Sequence, residues 1–289
     1  MRLSEALDRF LAAMDGVRSP ATLEWYSQRL GALLDVLGDV DVSTIAENDL
    51  NRWRASQNGR LSVWTLHGYV RAVRRFFAWL TDKGIVDSNP ARDFKLPRLP
   101  KRPRVGVSCD VRDRIIEAAR SNPRDYALVR FIDDTMCRVG GVVGLRVCDL
   151  VLDAGEALVT EKGEKTRKVY LLDEAVAALR AWLEILRPAS PTDFVFVGKR
   201  GPLTTWGVYQ VLERLARRAG VGGRGWNPHN WRHAGAREFL ENDGSLGMLS
   251  QILGHSDIKV TNDFYGTFAD PELKRAHRAH RRRDTPKDS

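Results

Sequence analysis

The chain has 289 residues, of which 43% are hydrophobic and 29% charged, and its 46 Lys and Arg against 37 Asp and Glu give a net charge of +9. No apolar run approaches the roughly 20 residues of a membrane span, and the three cysteines lack Cys-x-x-Cys spacing, which argues against a disulfide framework and a structural zinc site. The length suits two domains with a core each, and the excess of cations makes a polyanion, nucleic acid above all, the expected partner class.

In chain order, Leu3, Leu7, Phe10, Leu11 and Met14 fall at helical spacing. A second helix is predicted from Ser19 as N-cap and Pro20 at the first helical position, with Leu23, Leu30, Leu33, Leu34 and Leu37 as its buried stripe and Gly38 as its end. Thr44-Ile45-Ala46-Glu47 reads as a capping box ahead of a third helix through Leu50 and Trp53. Asn58-Gly59 marks a turn, and Val63, Leu66, Val70, Val73, Phe77 and Leu80 describe a fourth helix that stops before Gly84. Residues 1–90 are therefore expected to form an all-helical unit. Its fourth helix mixes Arg71, Arg74 and Arg75 with Trp64, Tyr69, Phe76 and Trp79, so one side can face DNA while the other packs.

Residues 91–106 read as a basic, proline-rich linker. Lys95-Leu96-Pro97-Arg98-Leu99-Pro100-Lys101-Arg102-Pro103-Arg104 sets a proline at every third residue among five cations. That period favours an extended, semi-rigid segment, and Lys95, Arg98, Lys101, Arg102 and Arg104 are candidates for phosphate contacts along it.

Residues 107–289 are expected to be mainly helical with a small antiparallel sheet. Helices are predicted over 110–119, 123–136, 173–186 and 204–219. Strands are predicted over 156–160 and 168–172, around the polar turn 161–165, and over 194–197. Residues 271–283 form a basic helix candidate that fades into a polar tail.

The chemistry gathers near the end: His229-Asn230-Trp231-Arg232-His233, a helical run, Leu253-Gly254-His255, then Tyr265. The order Arg138, Lys162, His229, Arg232, His255, Tyr265 resembles the tyrosine recombinase family, which includes phage integrases and the Xer recombinases. The resemblance covers nearly the whole chain. Its most specific pieces are His229-x-x-Arg232-His233 and Leu253-Gly254-His255-Ser256-Asp257-Ile258 followed by Tyr265, while Lys162-Gly163-Glu164-Lys165-Thr166-Arg167 is similar to the family's hairpin motif. The fold it implies is an N-terminal helical, SAM-like core-binding domain followed by a mostly helical catalytic domain.

These residue types suit phosphodiester chemistry in their own right. Negative charge builds on the non-bridging oxygens in the transition state, and arginines are permanently charged planar donors that match it, which assigns Arg138 and Arg232 to phosphate. A phenol, with an unperturbed pKa of about 10, needs an adjacent base and a positive field to act as a nucleophile, so Tyr265 is paired with His229. By position in the family Lys162 is the general acid for the leaving oxygen, with Lys165 the alternative, and His255 hydrogen-bonds a non-bridging oxygen. His233 is given a buttressing role. His229 and His233 stand at a spacing that can bind zinc, but Asn230 lies where a zinc protease carries glutamate and no third ligand is evident, so neither metal nor cofactor is expected.

Two departures from the family stand out. Gly141 occupies the place, three residues after the first arginine, where the family usually has an acidic residue, and Glu161 replaces the first glycine of a Gly-Lys-Gly hairpin tip. The first implies weaker support for the site, and the second puts a negative charge beside the proposed acid.

The function expected is site-specific DNA recombination through a 3′-phosphotyrosyl intermediate, by a mobile-element or phage integrase. The alternatives are a Xer-type resolvase of chromosome dimers, a type IB topoisomerase and a catalytically weakened DNA-binding protein on the same scaffold. The resemblance implies a homo-tetramer on two DNA duplexes, with the segment around residues 271–280 docking on a neighbour, and an accessory directionality factor as a further partner. The start of the chain reads neither as a secretory signal nor as an additional arm-binding domain, so a cytoplasmic, nucleoid-associated protein acting on simple sites is expected.

Overall fold

A computed structural model describes residues 1–100, 107–161, 165–189, 192–223, 226–266, 273–274 and 277–278, with only the backbone of 186–189. Lys101, Arg102, Arg104 and Lys162 lie outside the described residues, as does most of the expected C-terminal helix. The chain divides into two compact units, Met1–Arg102 and Pro103–Ser289.

The named elements of the first unit are all helical: α1 (Leu3–Ala12), α2 (Pro20–Leu37), a 3-10 turn (Val42–Thr44), α3 (Glu47–Ser56) and α4 (Val63–Asp82). Phe10, Leu30, Leu33, Leu50, Trp53, Val73, Phe76 and Phe77 are all but fully buried and form its core. The capping box expected at Thr44 lies two residues further on. Thr44 bonds back to the Asp41 carbonyl, Ala46 is the N-cap of α3, and the Asp49 carboxylate accepts from the Ala46 N–H at 2.9 Å.

The expected linker starts too early. Ala91 and Phe94 are buried in the first core and Leu96 packs against it, while the Arg54 guanidinium lies over the Phe94 ring and donates to the Lys95 carbonyl. Proline periodicity predicts an extended backbone, but a segment without helix or strand can still be anchored by one aromatic side chain, here Phe94.

The second unit begins with α5 (Cys109–Ala119), α6 (Pro123–Thr135) and the short α7 (Val139–Val143). A three-stranded antiparallel sheet follows in the order β1 (Leu150–Val151), β2 (Glu156–Glu161), β3 (Lys165–Tyr170). Then come α8 (Asp173–Ala189), the two-stranded β4 (Val197–Gly198) and β5 (Gly201–Pro202), and α9 (Thr205–Arg218). They are followed by α10 (Pro228–Glu241), α11 (Leu246–Leu253) and α12 (Ile258–Tyr265).

Two strands depart from expectation. β3 starts at Lys165 rather than 168, because polar residues pair as readily as apolar ones on an exposed hairpin. Glu161 faces Lys165 in register, and Thr160 and Thr166 share a hydroxyl hydrogen bond at 3.0 Å. The strand expected over 194–197 is reduced to a bridge between Phe194 and Arg146 and to Val197 in β4. The main core, including Phe131, Phe196 and Trp231, is distinct from a smaller cluster of Met136, Ala236, Leu240, Leu249, Leu253 and Tyr265. That second cluster sets the site.

Candidate active site

Arg138 enters the site because α6 stops two residues earlier. Met136 caps α6 in the left-handed conformation, φ 49°, and turns the chain so that Arg138 becomes the N-cap of α7. Met136 also packs against α10 at Gly235, where an added Cβ would come within 2.7 Å of its Cγ. A side chain there would have to displace Met136, so α10 and its Arg232 lie close against the turn that carries Arg138.

Arg232 is buried, with a side chain 5% exposed, and is fixed by carbonyls. It donates to Met136 O at 2.7 Å and Leu253 O at 2.6 Å, and its Nη2 lies 3.2 Å from His255 Nε2. Burial, and then the neighbouring Arg138, lower its pKa to about 10, which leaves it charged at neutral pH. A guanidinium has no acceptor, so His255 Nε2 accepts that bond and the ring carries its proton on Nδ1, toward Thr261 Oγ1 at 2.7 Å. Burial and the charge of Arg232 push the His255 pKa down to about 4, so the imidazole is neutral at physiological pH.

Glu161 lies beneath these cations. Its carboxylate accepts from the Arg138 backbone N–H at 2.9 Å, pairs with the Arg138 guanidinium, and lies 3.2 Å from Arg167 Nη2 and 3.8 Å from Arg232 Nη1. Burial alone would raise its pKa, but the Arg138 N–H and the charges of Arg167, Arg138 and Arg232 outweigh it and hold the group below the ordinary glutamate range.

Arg167, which sequence reasoning left unassigned within the hairpin motif, joins β3 to α11. Its guanidinium donates to the Ile252 carbonyl and its stem passes under Gly254. Gly254 caps α11 at φ 66°, and a Cβ there would meet Arg167 Cδ at 2.6 Å. Arg138, Glu161, Lys165, Thr166, Arg167, Gly254, His255 and Ser256 line a cleft of about 220 Å³. Lys165, the alternative acid, is in that lining.

The nucleophile candidate belongs to a second cluster. Tyr265 ends α12, is 5% exposed, and its phenol oxygen lies 2.6 Å from His233 Nδ1. His233 Nε2 is in turn 3.0 Å from His229 Nε2, and His229 is exposed. The partner of the phenol is therefore His233 rather than His229. The two imidazoles are four apart on α10, and the packing of α12 decides which one meets the tyrosine. Among the described residues, no group of three or more His, Cys, Asp or Glu is placed to hold a metal ion.

In the first unit, Arg71, Arg74 and Arg75 are exposed and line a groove of about 600 Å³ with Thr22, Trp25, Tyr26, Ala78 and Leu96. Lys95 and Arg98 are also exposed.

The profile of the phage integrase family matches residues 108–270. The chain is 32% identical over 266 residues to the tyrosine recombinase XerC of Xanthomonas campestris pv. campestris (strain B100), covering 89% of this chain and 82% of that protein. It is similar to the crystal structure of XerA recombinase, with 28% identity, a TM-score of 0.55, and coverage of 97% and 99%. It also shares its fold with a lambda integrase tetramer bound to a Holliday junction, with 19% identity, a TM-score of 0.76, and coverage of 93% and 80%. With that match over more than half its length, the chain belongs to the phage integrase family and is a site-specific tyrosine recombinase.

Proposed function

We propose that the protein cuts and rejoins double-stranded DNA through Tyr265, with a 3′-phosphotyrosyl intermediate and a free 5′-hydroxyl. The observation that carries this reading is the convergence of Arg138, Arg167 and Arg232 beside a phosphate-sized cleft, with Tyr265 held on an imidazole of the same helix that carries Arg232. Arg138 and Arg232 would take the non-bridging oxygens, where charge accumulates. Tyr265 Oη would attack phosphorus as its proton passes to His233 Nδ1, and the Nε2 proton of His233 would move to His229 and on to solvent. The P–O bond to the 5′ side would break as the leaving oxygen takes a proton from a lysine, Lys162 by family position or Lys165 from within the cleft. Attack by a 5′-hydroxyl reverses these steps, so joining needs no external energy source.

The lambda integrase neighbour is a tetramer on a Holliday junction, and a homo-tetramer on two duplexes is proposed here by analogy. Arg71, Arg74, Arg75, Lys95, Arg98, Lys101, Arg102 and Arg104 would contact the DNA backbone. No helix among the described residues is long and apolar enough to cross a membrane, and action on nucleoid DNA in the cytoplasm is proposed.

The expectation of an integrase rather than a dimer resolvase rests on the departures at Gly141 and Glu161. Since Glu161 places a carboxylate on the arginines, those departures no longer separate the roles, and the XerC relative, 82% of which is covered, favours a Xer-type second reading. A plasmid with two directly repeated copies of a DNA sequence captured covalently by the protein tests recombination itself. Deletion of the intervening segment is expected, whereas relaxation without recombinants would identify a topoisomerase.

A further inference from the structure

Among the described residues, the ion pairs of Arg138 and Arg232 and the acidic pairing of Arg167 all run to Glu161. Both of its oxygens are used. Oε1 takes the Arg138 N–H and faces Arg167 and Arg232, while Oε2 takes the Arg138 guanidinium. Its side chain is 5% exposed, against 44% for that of Arg138. A carboxylate so placed offsets one of three like charges and fixes their directions, which three guanidinium groups at this separation would not hold unaided.

The space for Glu161 comes from Gly141. A Cβ built there would lie 3.4 Å from Glu161 Cγ and 3.4 Å from Val159 Cβ. Those distances place a methyl group in ordinary contact, and a longer side chain directed along them would compete with Glu161 for the same space. A carboxylate carried from residue 141 would start beside the Glu161 side chain.

We propose that Glu161 is the positioning residue of the arginine cluster, supplying from the hairpin the carboxylate that residue 141 lacks, and that residues 141 and 161 form a coupled pair with room for one acidic side chain. The two departures in the sequence are then one exchange. Glu161 touches no reacting atom; it acts through Arg138, Arg167 and Arg232. The inference rests on the recombinase reading of the cleft, and its test separates the two.

Wild type, Glu161→Gln, Glu161→Gly, Gly141→Glu and the double variant are compared in two measurements. The first is the rate of covalent capture of a pool of nicked duplexes with random sequence around the nick, with overall affinity for the same pool measured by anisotropy. Glu161→Gln is expected to lose about 10- to 100-fold in capture rate, as supporting groups around a reactive centre do, with affinity nearly unchanged. Gly141→Glu is expected to be impaired also, and the double variant to recover most of the rate. The second measurement is thermal melting, which needs no DNA. Gly141→Glu should lower the Tm in the wild-type background and leave it nearly unchanged in the Glu161→Gly background.

Wild-type capture by Glu161→Gln, or a double variant no better than the worse single one, would overturn the positioning role. Equal destabilisation by Gly141→Glu in both backgrounds would overturn the coupling. Absence of capture by wild type would defeat the cutting reaction, and the melting cycle would still decide whether one acidic side chain fills the shared space.

Discussion

Arg232 and His255 are bound to each other in a way that makes their charges interdependent. The folded protein holds the His255 pKa at about 4 against an ordinary value of 6.5, so the unfolded chain binds more protons in between. Stability from this group is therefore full above pH 6.5 and declines as the pH falls toward 4. Denaturant titrations at pH 7 and pH 5 should show wild type losing more stability than His255→Gln over that interval. Arg232→Lys keeps the charge but cannot serve two carbonyls and a ring nitrogen with one planar fork. A loss of about 100-fold or more in the rate of DNA cleavage is expected, comparable to removal of an oriented transition-state donor.

At this scale the sequence offered the residue types but not their directions. Glu161 looked like a liability beside Lys162, because adjacency in a chain does not say which face of a strand a charge occupies. In the alternating strand β2 it turns inward, onto the arginines. His229 and His233 share one helix face, so only the nonlocal packing of α12 could show that His233 receives the phenol.

At the scale of elements, the reactive groups are placed by helix ends. Arg138 sits at the start of α7, His255 just after α11 and Tyr265 at the end of α12. Asp257 caps α12, its carboxylate accepting from Lys259 N–H at 2.8 Å. Asp257→Ala should cost about 1 kcal/mol, the usual value of an N-cap, and fray the short helix that holds Tyr265 against His233. Reduced capture of DNA together with a lowered Tm, both read on the same preparation, would check this. Helix α2 was legible because Ser19-Pro20 opens it and Gly38 closes it. The hairpin was less so, since its register is set by pairing of polar residues that carry no periodic signal.

For the whole molecule, a net charge of +9 makes salt the dominant variable in DNA affinity. Arg71, Arg74 and Arg75 line one groove of the first unit, and substitution of any one by Ala should weaken binding to unrelated DNA sequences about equally and reduce the slope of log K against log salt by about 1. Anisotropy titrations over a range of KCl concentrations measure that slope; an unchanged slope would remove these arginines from the interface. Length and the proline period suggest a division of the chain, whereas the anchoring by Phe94 was not readable, because a single buried aromatic leaves no pattern.

The central claim, that Tyr265 forms the covalent bond to DNA, is tested most directly by incubating the protein with nicked duplexes and resolving the products on a denaturing gel. Wild type is predicted to give a protein–DNA adduct that yields a phosphotyrosyl peptide at Tyr265, and Tyr265→Phe to give none. An adduct that persists in Tyr265→Phe would contradict the account.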